Sequence, residues 1–162
     1  MAQIKIHRDG TVETLCGTQD IGGGARTVVL VLTSMELGYL PLNLITVKIG
    51  DSEFGASGAS AGSSTTAGVL NEIREAAKRV LPQLYELVAE RLRVDAGDLT
   101  IREDGTIGPR RGDRGLPWKE ACSLINDTLI GHAGPPLAPD AQWYVMREDG
   151  AVEQATEEDY KA

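Results

Sequence analysis

The chain has 162 residues, 41% apolar and 25% charged, a size and balance that suit one soluble globular domain with a sizeable core. Aromatics make up only 4%, so Val, Leu, Ile and Ala must build that core. A net charge of -8 argues against nucleic acid, which needs a basic surface, but leaves room for a small anion held by backbone N–H groups.

The opening residues, "QIKIHRDGTVETLCG", alternate apolar and polar on both sides of Asp9-Gly10, which predicts a β-hairpin. They lack the apolar centre of a signal peptide, and the longest apolar run, "VVLVL", is too short to cross a membrane. With Cys16 and Cys122 far apart and no CxxC, the chain reads as cytoplasmic, with two free thiols and no zinc or iron–sulfur ligand set. Cys16 itself reads as a small buried hydrophobe.

Next comes "GTQDIGGGART", a glycine-rich loop placed directly before a helical segment, "ARTVVLVLTSMELG". Val28 to Leu32 is apolar on every face, so this helix is expected to be buried all round, with Gly38 as its stop and Pro41 just beyond. "NLITVKIGD" predicts a strand with Ile45, Val47 and Ile49 on one side. A second loop, "GDSEFGASGASAGSSTT", is rich in glycine and hydroxyls. The strongest periodicity follows it: Val69, Ile73, Ala76, Val80, Leu84, Val88 and Leu92 form the apolar stripe of a long amphipathic helix, capped by one of Ser63, Ser64, Thr65 or Thr66. Pro82 is expected to kink or split it near Val80.

Further on, "LTIREDGTI" predicts a hairpin around Asp104-Gly105, "LPWKEACSLI" a short helix entered through Pro117, and "QWYVMREDGAVEQ" a hairpin around Asp149-Gly150. "AGPPLAP" reads as a spacer and "ATEEDYKA" as an acidic tail. The expected fold is α/β: two main helices on a small mixed sheet, with additional hairpins. Residues 1–130 form the main unit, and 131–162 the spacer, hairpin and tail.

Both loops could act as helix-capping turns. They could also cradle an anion, because glycine lets backbone approach a ligand and the first N–H groups of a helix lack partners. Neither contains the lysine of a Walker loop, GxxxxGK[ST]. Asp20 and Asp51 are expected to bond local backbone N–H groups, and Arg26 to reach either a phosphate or a surface acid. His7 and His132 read as solvated, His132 within the spacer, and "RGD" at Arg111 to Asp113 as a polar loop.

The order "GTQDIGGGARTVV…MELG…ITVKIGDS…GASAGSSTT…EIREAAKRV" resembles the molybdopterin-binding large subunit of the xanthine dehydrogenase and aldehyde oxidase family, nearest its bacterial aldehyde oxidoreductases. The likeness covers roughly Ile4 to Ile101 and fades by about Asn126. It implies a site for molybdopterin cytosine dinucleotide, with Gly22, Gly23 and Gly24 beside the molybdenum centre. It also implies that Gly62, Ser63, Ser64, Thr65 and Thr66 hold the pterin or phosphate portion. Many members of that family have Gln where this chain has Gly23. The family's general base is a Glu in a "GE" motif, and no Gly-Glu pair occurs here, so no residue is assigned a catalytic role. The resemblance therefore implies one part of an oxidoreductase that is inactive alone. Its partners would be the remaining large-subunit domains and iron–sulfur and flavin subunits, with homo-oligomerisation as another form of association and no membrane partner. The competing reading is a non-catalytic assembly or interaction module that keeps the loops only as caps.

Overall fold

The computed structural model describes residues 1–54, 65–133, 144–146 and 152–154. Strands β1 (Ala2–Ile6) and β2 (Val12–Cys16) pair antiparallel, with Ile6 opposite Val12. Between them His7 N–H donates to the Thr11 carbonyl at 2.9 Å, and Asp9 Oδ1 accepts both the N–H and the hydroxyl of Thr11 at 2.9 and 2.6 Å. The same device recurs between β4 (Leu99–Ile101) and β5 (Thr106–Pro109), where Asp104 accepts both groups of Thr106. Asp-Gly-Thr closes each turn because the aspartate binds the backbone two residues on.

Helix α1 (Ala25–Glu36) carries the chain from β2 to β3 (Ile45–Ile49), and β3 lies parallel to β2. The main sheet has the order β3-β2-β1-β7, with β7 (Leu129–Ala133) antiparallel to β1. It is therefore a mixed sheet, as expected. Helix α2 (Thr65–Leu92) packs on β1 and β7, and α1 packs on α2 and β3. Both helices cover the sheet face that presents Ile4, Val12, Thr14 and Cys16, and the Thr14 and Thr33 hydroxyls bond there at 3.1 Å. All seven residues of the α2 stripe are buried, at about 1.5–3 kcal/mol for each large aliphatic side chain. A small second sheet, β4-β5-β6, ends in β6 (Leu116–Pro117) and leads into α3 (Trp118–Cys122), whose Trp118 indole donates to the Gly10 carbonyl at 2.9 Å. The strands β8 (Tyr144–Met146) and β9 (Val152–Gln154) pair antiparallel, as the third Asp-Gly hairpin predicts.

Three expectations need correction. Helix α1 is not buried all round: Val29 is buried, but Val31 and Met35 are 41% and 47% exposed, because the sheet and α2 cover only one side. Of the kink or split expected at Pro82, the split does not occur: helix α2 runs unbroken from Thr65 to Leu92, with Pro82 exposed and Val80 and Leu84 buried. His132 belongs to strand β7 rather than to a spacer, and that strand runs across residue 130.

Candidate functional site

The parallel pairing of β2 and β3 decides where the two loops lie. Cys16 and Ile49, the last residues of the two strands, are opposite each other, and Gly50 N–H donates to the Cys16 carbonyl at 3.3 Å. Both loops therefore leave the same end of the sheet, from the carboxyl ends of adjacent parallel strands. A β-α-β unit places ligand crevices at that end. Each loop then leads to a helix, the first to α1 and the second to α2.

In the first loop, Asp20 acts as the cap of α1. Its carboxylate accepts the N–H groups of Gly22 and Gly24 at 3.1 Å each and that of Arg26 at 3.3 Å. Gly24, at the N-cap position, has no side chain to do this and sits in the left-handed region at φ 76°. The Arg26 N–H, then those of Gly22, Gly24 and Ala25, hold the Asp20 carboxyl below the usual aspartate range. Arg26 turns its guanidinium to the Val47 carbonyl at 2.8 Å. Asp51 plays the local part expected of it, accepting Glu53 N–H at 3.0 Å.

A methyl group on Gly22, Gly23 or Gly24 would meet no described atom within 4 Å beyond the chain neighbours. Earlier in the same loop lies a feature that the sequence did not suggest. Thr18 is only 1% exposed, and its hydroxyl has no hydrogen-bond partner among the described residues. Cys16, two residues earlier, is buried, with its thiol 3.8 Å from Glu72 Oε2. Burial, with Glu72 beside it, raises the thiol's pKa and keeps it protonated. The same holds for Cys122, where burial pushes the thiol up to about 12.

Of the second loop's expected site, Gly62, Ser63 and Ser64 lie outside the described residues. Thr65 and Thr66 are the first two residues of α2. The start of α1 holds the Asp20 carboxylate, and among the described residues no acidic side chain lies in the first turn of α2. His7 bonds Thr128, and His132 is exposed, so the described structure brings neither into the crevice. No three His, Cys, Asp or Glu side chains among the described residues gather as a metal-ligand set.

The exposed apolar residues were also missed from the sequence. Val31, Met35, Tyr39 and Leu42 line the outer side of α1 and the turn after it, and Tyr39 is 75% exposed with φ 62°. A cavity of about 390 Å3 opens beside Tyr39, lined by Leu37, Leu40, Ile101 and Trp118.

Residues 1–161 match the molybdopterin cofactor-binding domain family. The match runs past Asn126, beyond the point where the motif resemblance fades. Among solved structures, quinoline 2-oxidoreductase from Pseudomonas putida 86 superposes with a TM-score of 0.64 at 23% identity, covering 83% of this chain and 19% of that one. Cu,Mo-CO dehydrogenase in its carbon monoxide reduced state gives 0.60 at 25% identity, over 83% and 18%. Reconstituted CO dehydrogenase from Oligotropha carboxidovorans gives 0.56 at 22%, over 83% and 18%. The chain thus spans about a fifth of the length of these solved chains. No curated protein sequence matches it.

Proposed function

The chain belongs to the molybdopterin cofactor-binding domain family, and on that premise we propose that it supplies part of the cofactor site of a molybdenum hydroxylase large subunit. The cofactor is taken in its cytosine dinucleotide form. When bound, it supplies the molybdenum centre at which a carbon of an aldehyde or aromatic heterocycle is hydroxylated, with oxygen from water and two electrons passed on.

The observation that carries this reading is the placement of both loops at the carboxyl ends of β2 and β3. The residues fit the group in two different ways. At the first loop, Gly22, Gly23 and Gly24 carry no side chains, and no described atom beyond their chain neighbours stands within 4 Å of where a methyl group would be, which suits the approach of a flat ligand edge. Asp20 holds a negative charge there and already uses the N–H groups of Gly22 and Gly24, so this end suits a neutral edge and disfavours phosphate. Among the described residues no acidic side chain lies in the first turn of α2, where Thr65 and Thr66 add hydroxyls, so Gly62 to Thr66 take the phosphates.

The chain supplies no Glu base from a "GE" motif, so turnover requires the rest of the subunit. The one-fifth coverage and the exposed Val31, Met35, Tyr39 and Leu42 support a partner that carries the remaining domains. Iron–sulfur and flavin subunits would take the electrons, in the cytoplasm.

Amide chemical shifts recorded during titration with cytidine 5′-diphosphate test the division of roles. The amides of Thr65 and Thr66 should move, and cytidine without phosphate should leave them in place. Shifts centred on Gly22 and Gly24, or none at millimolar nucleotide, would contradict it.

A further inference from the structure

The Thr18 hydroxyl is the feature of this crevice that the chain's own contacts leave unexplained. It is sealed from water, and among the described residues nothing bonds it. Buried hydroxyls in folded proteins nearly always have a partner, and one without it costs free energy that an apolar side chain of the same shape would not. Threonine is therefore the poorer choice at this position for folding alone, and valine the better.

Backbone bonds tie the segment around Thr18 to its neighbours. The Cys16 carbonyl accepts Gly50 N–H at 3.3 Å, and Gly17 N–H is committed to the Met1 carbonyl at 3.4 Å. The Gly50 backbone approaches so closely that a methyl group on it would lie 3.9 Å from the Thr18 carbonyl oxygen. Thr18 thus sits where the roots of the two loops meet. Two residues on, Asp20 draws the N–H groups of Gly22 and Gly24 to itself on the same short loop.

We infer that Thr18 is a ligand-contacting residue whose hydroxyl bonds a neutral heterocyclic edge of the bound cofactor. This rests on the cofactor reading above and assigns it a side-chain contact at the root of the first loop, in addition to the backbone of its glycines. The ligand class follows from charge. With the Asp20 carboxylate so close, a phosphate would meet repulsion, whereas a ring nitrogen, amide or carbonyl edge can exchange a hydrogen bond with a threonine. Because the hydroxyl is sealed in the free chain, the contact requires the loop root to part around it when the edge binds.

The contact predicts effects of opposite sign in the free and the loaded protein. Thr18→Val should raise the thermal midpoint of the chain alone by about 2–4 °C, because it removes the orphaned group. In the protein purified with whatever chains accompany it, the same variant should release its pterin about two- to tenfold faster during dialysis, read by fluorescence of the oxidised pterin. Thr18→Ser keeps the hydroxyl and should retain pterin like the wild type. A lowered midpoint for Thr18→Val would show that the hydroxyl is already satisfied and would overturn the inference. So would a raised midpoint with unchanged pterin release. A wild-type protein that carries no pterin at all overturns the cofactor reading and this inference together, whereas pterin retained equally by wild type and Thr18→Val overturns the Thr18 contact alone.

Discussion

Asp20 reaches forward four residues to accept the N–H of Gly24 at 3.1 Å, and so caps a helix whose own N-cap residue has no side chain. The first glycine loop consequently contains its own anion.

Replacing Asp20 with alanine should therefore do two things. Helix α1 loses its cap, so the amides of Gly22, Gly24 and Arg26 exchange faster with solvent and the thermal midpoint falls. The freed donors then respond to cytidine 5′-diphosphate, which leaves them unmoved in the wild type. Hydrogen exchange and amide shifts measure both. Unchanged exchange in the variant would mean that the carboxylate is not the cap.

The pH dependence follows from the same bonds. Hydrogen bonds from the Thr11 hydroxyl hold the Asp9 carboxyl below its ordinary value, those from the Thr106 hydroxyl do so for Asp104, and those from backbone N–H groups do so for Asp20. A depressed folded pKa means that the unfolded chain binds more protons. The stability from these groups is therefore present above about pH 4 and is lost as pH falls through the lower folded values. At the alkaline side the sign reverses. Burial raises the Cys122 thiol from 9.0 to about 12, so its contribution is present below pH 9 and is lost as pH rises towards 12. Unfolding midpoints from pH 7 down to 2.5 should fall less steeply in a protein with Asp9, Asp20 and Asp104 changed to Asn. Cys122→Ala should flatten the alkaline limb. Parallel curves for wild type and variants would contradict these assignments.

Strand β7 depends on one missing side chain. A methyl group on Gly131 would run into the Ala76 carbonyl oxygen and come within 2.7 Å of Val80 Cβ, both on helix α2. A backbone carbonyl inside a helix cannot step aside, so Gly131→Ala should cost about 1–3 kcal/mol or more by overpacking. Chemical denaturation measures this directly. A change below about 0.5 kcal/mol, the range of ordinary surface substitutions, would show that β7 does not pack this closely.

Sequence patterns show the core of this fold well and its edges less well. The α2 stripe from Val69 to Leu92 can be read because a 28-residue helix repeats its period many times. The Asp-Gly-Thr turns can be read because the bonding that makes them is local. The parallel pairing of β2 with β3 cannot, since it depends on where α1 folds back, and that is a property of the whole unit. Strand β7 is hidden because Gly131 and His132 interrupt any alternation. Pro82 misleads because its effect depends on which side of α2 faces water, and the exposed Val31 and Met35 because apolar composition does not say how much of a helix its own domain covers. At the site, the glycines and hydroxyls stand out in sequence and Asp20 could be foreseen as a local partner. The orphaned Thr18 could not, because a missing partner appears only once burial is known.

The central claim is that this chain holds part of a molybdopterin cofactor, and metal and pterin analysis tests it most directly. The protein would be isolated under native conditions with its accompanying chains, beside the 162-residue chain alone. Molybdenum, pterin and cytidine nucleotide should be present in equal amounts in the complex, with little or none in the isolated chain. A complex that contains the rest of a large subunit yet lacks both pterin and molybdenum would contradict it, and would leave the two loops as helix caps.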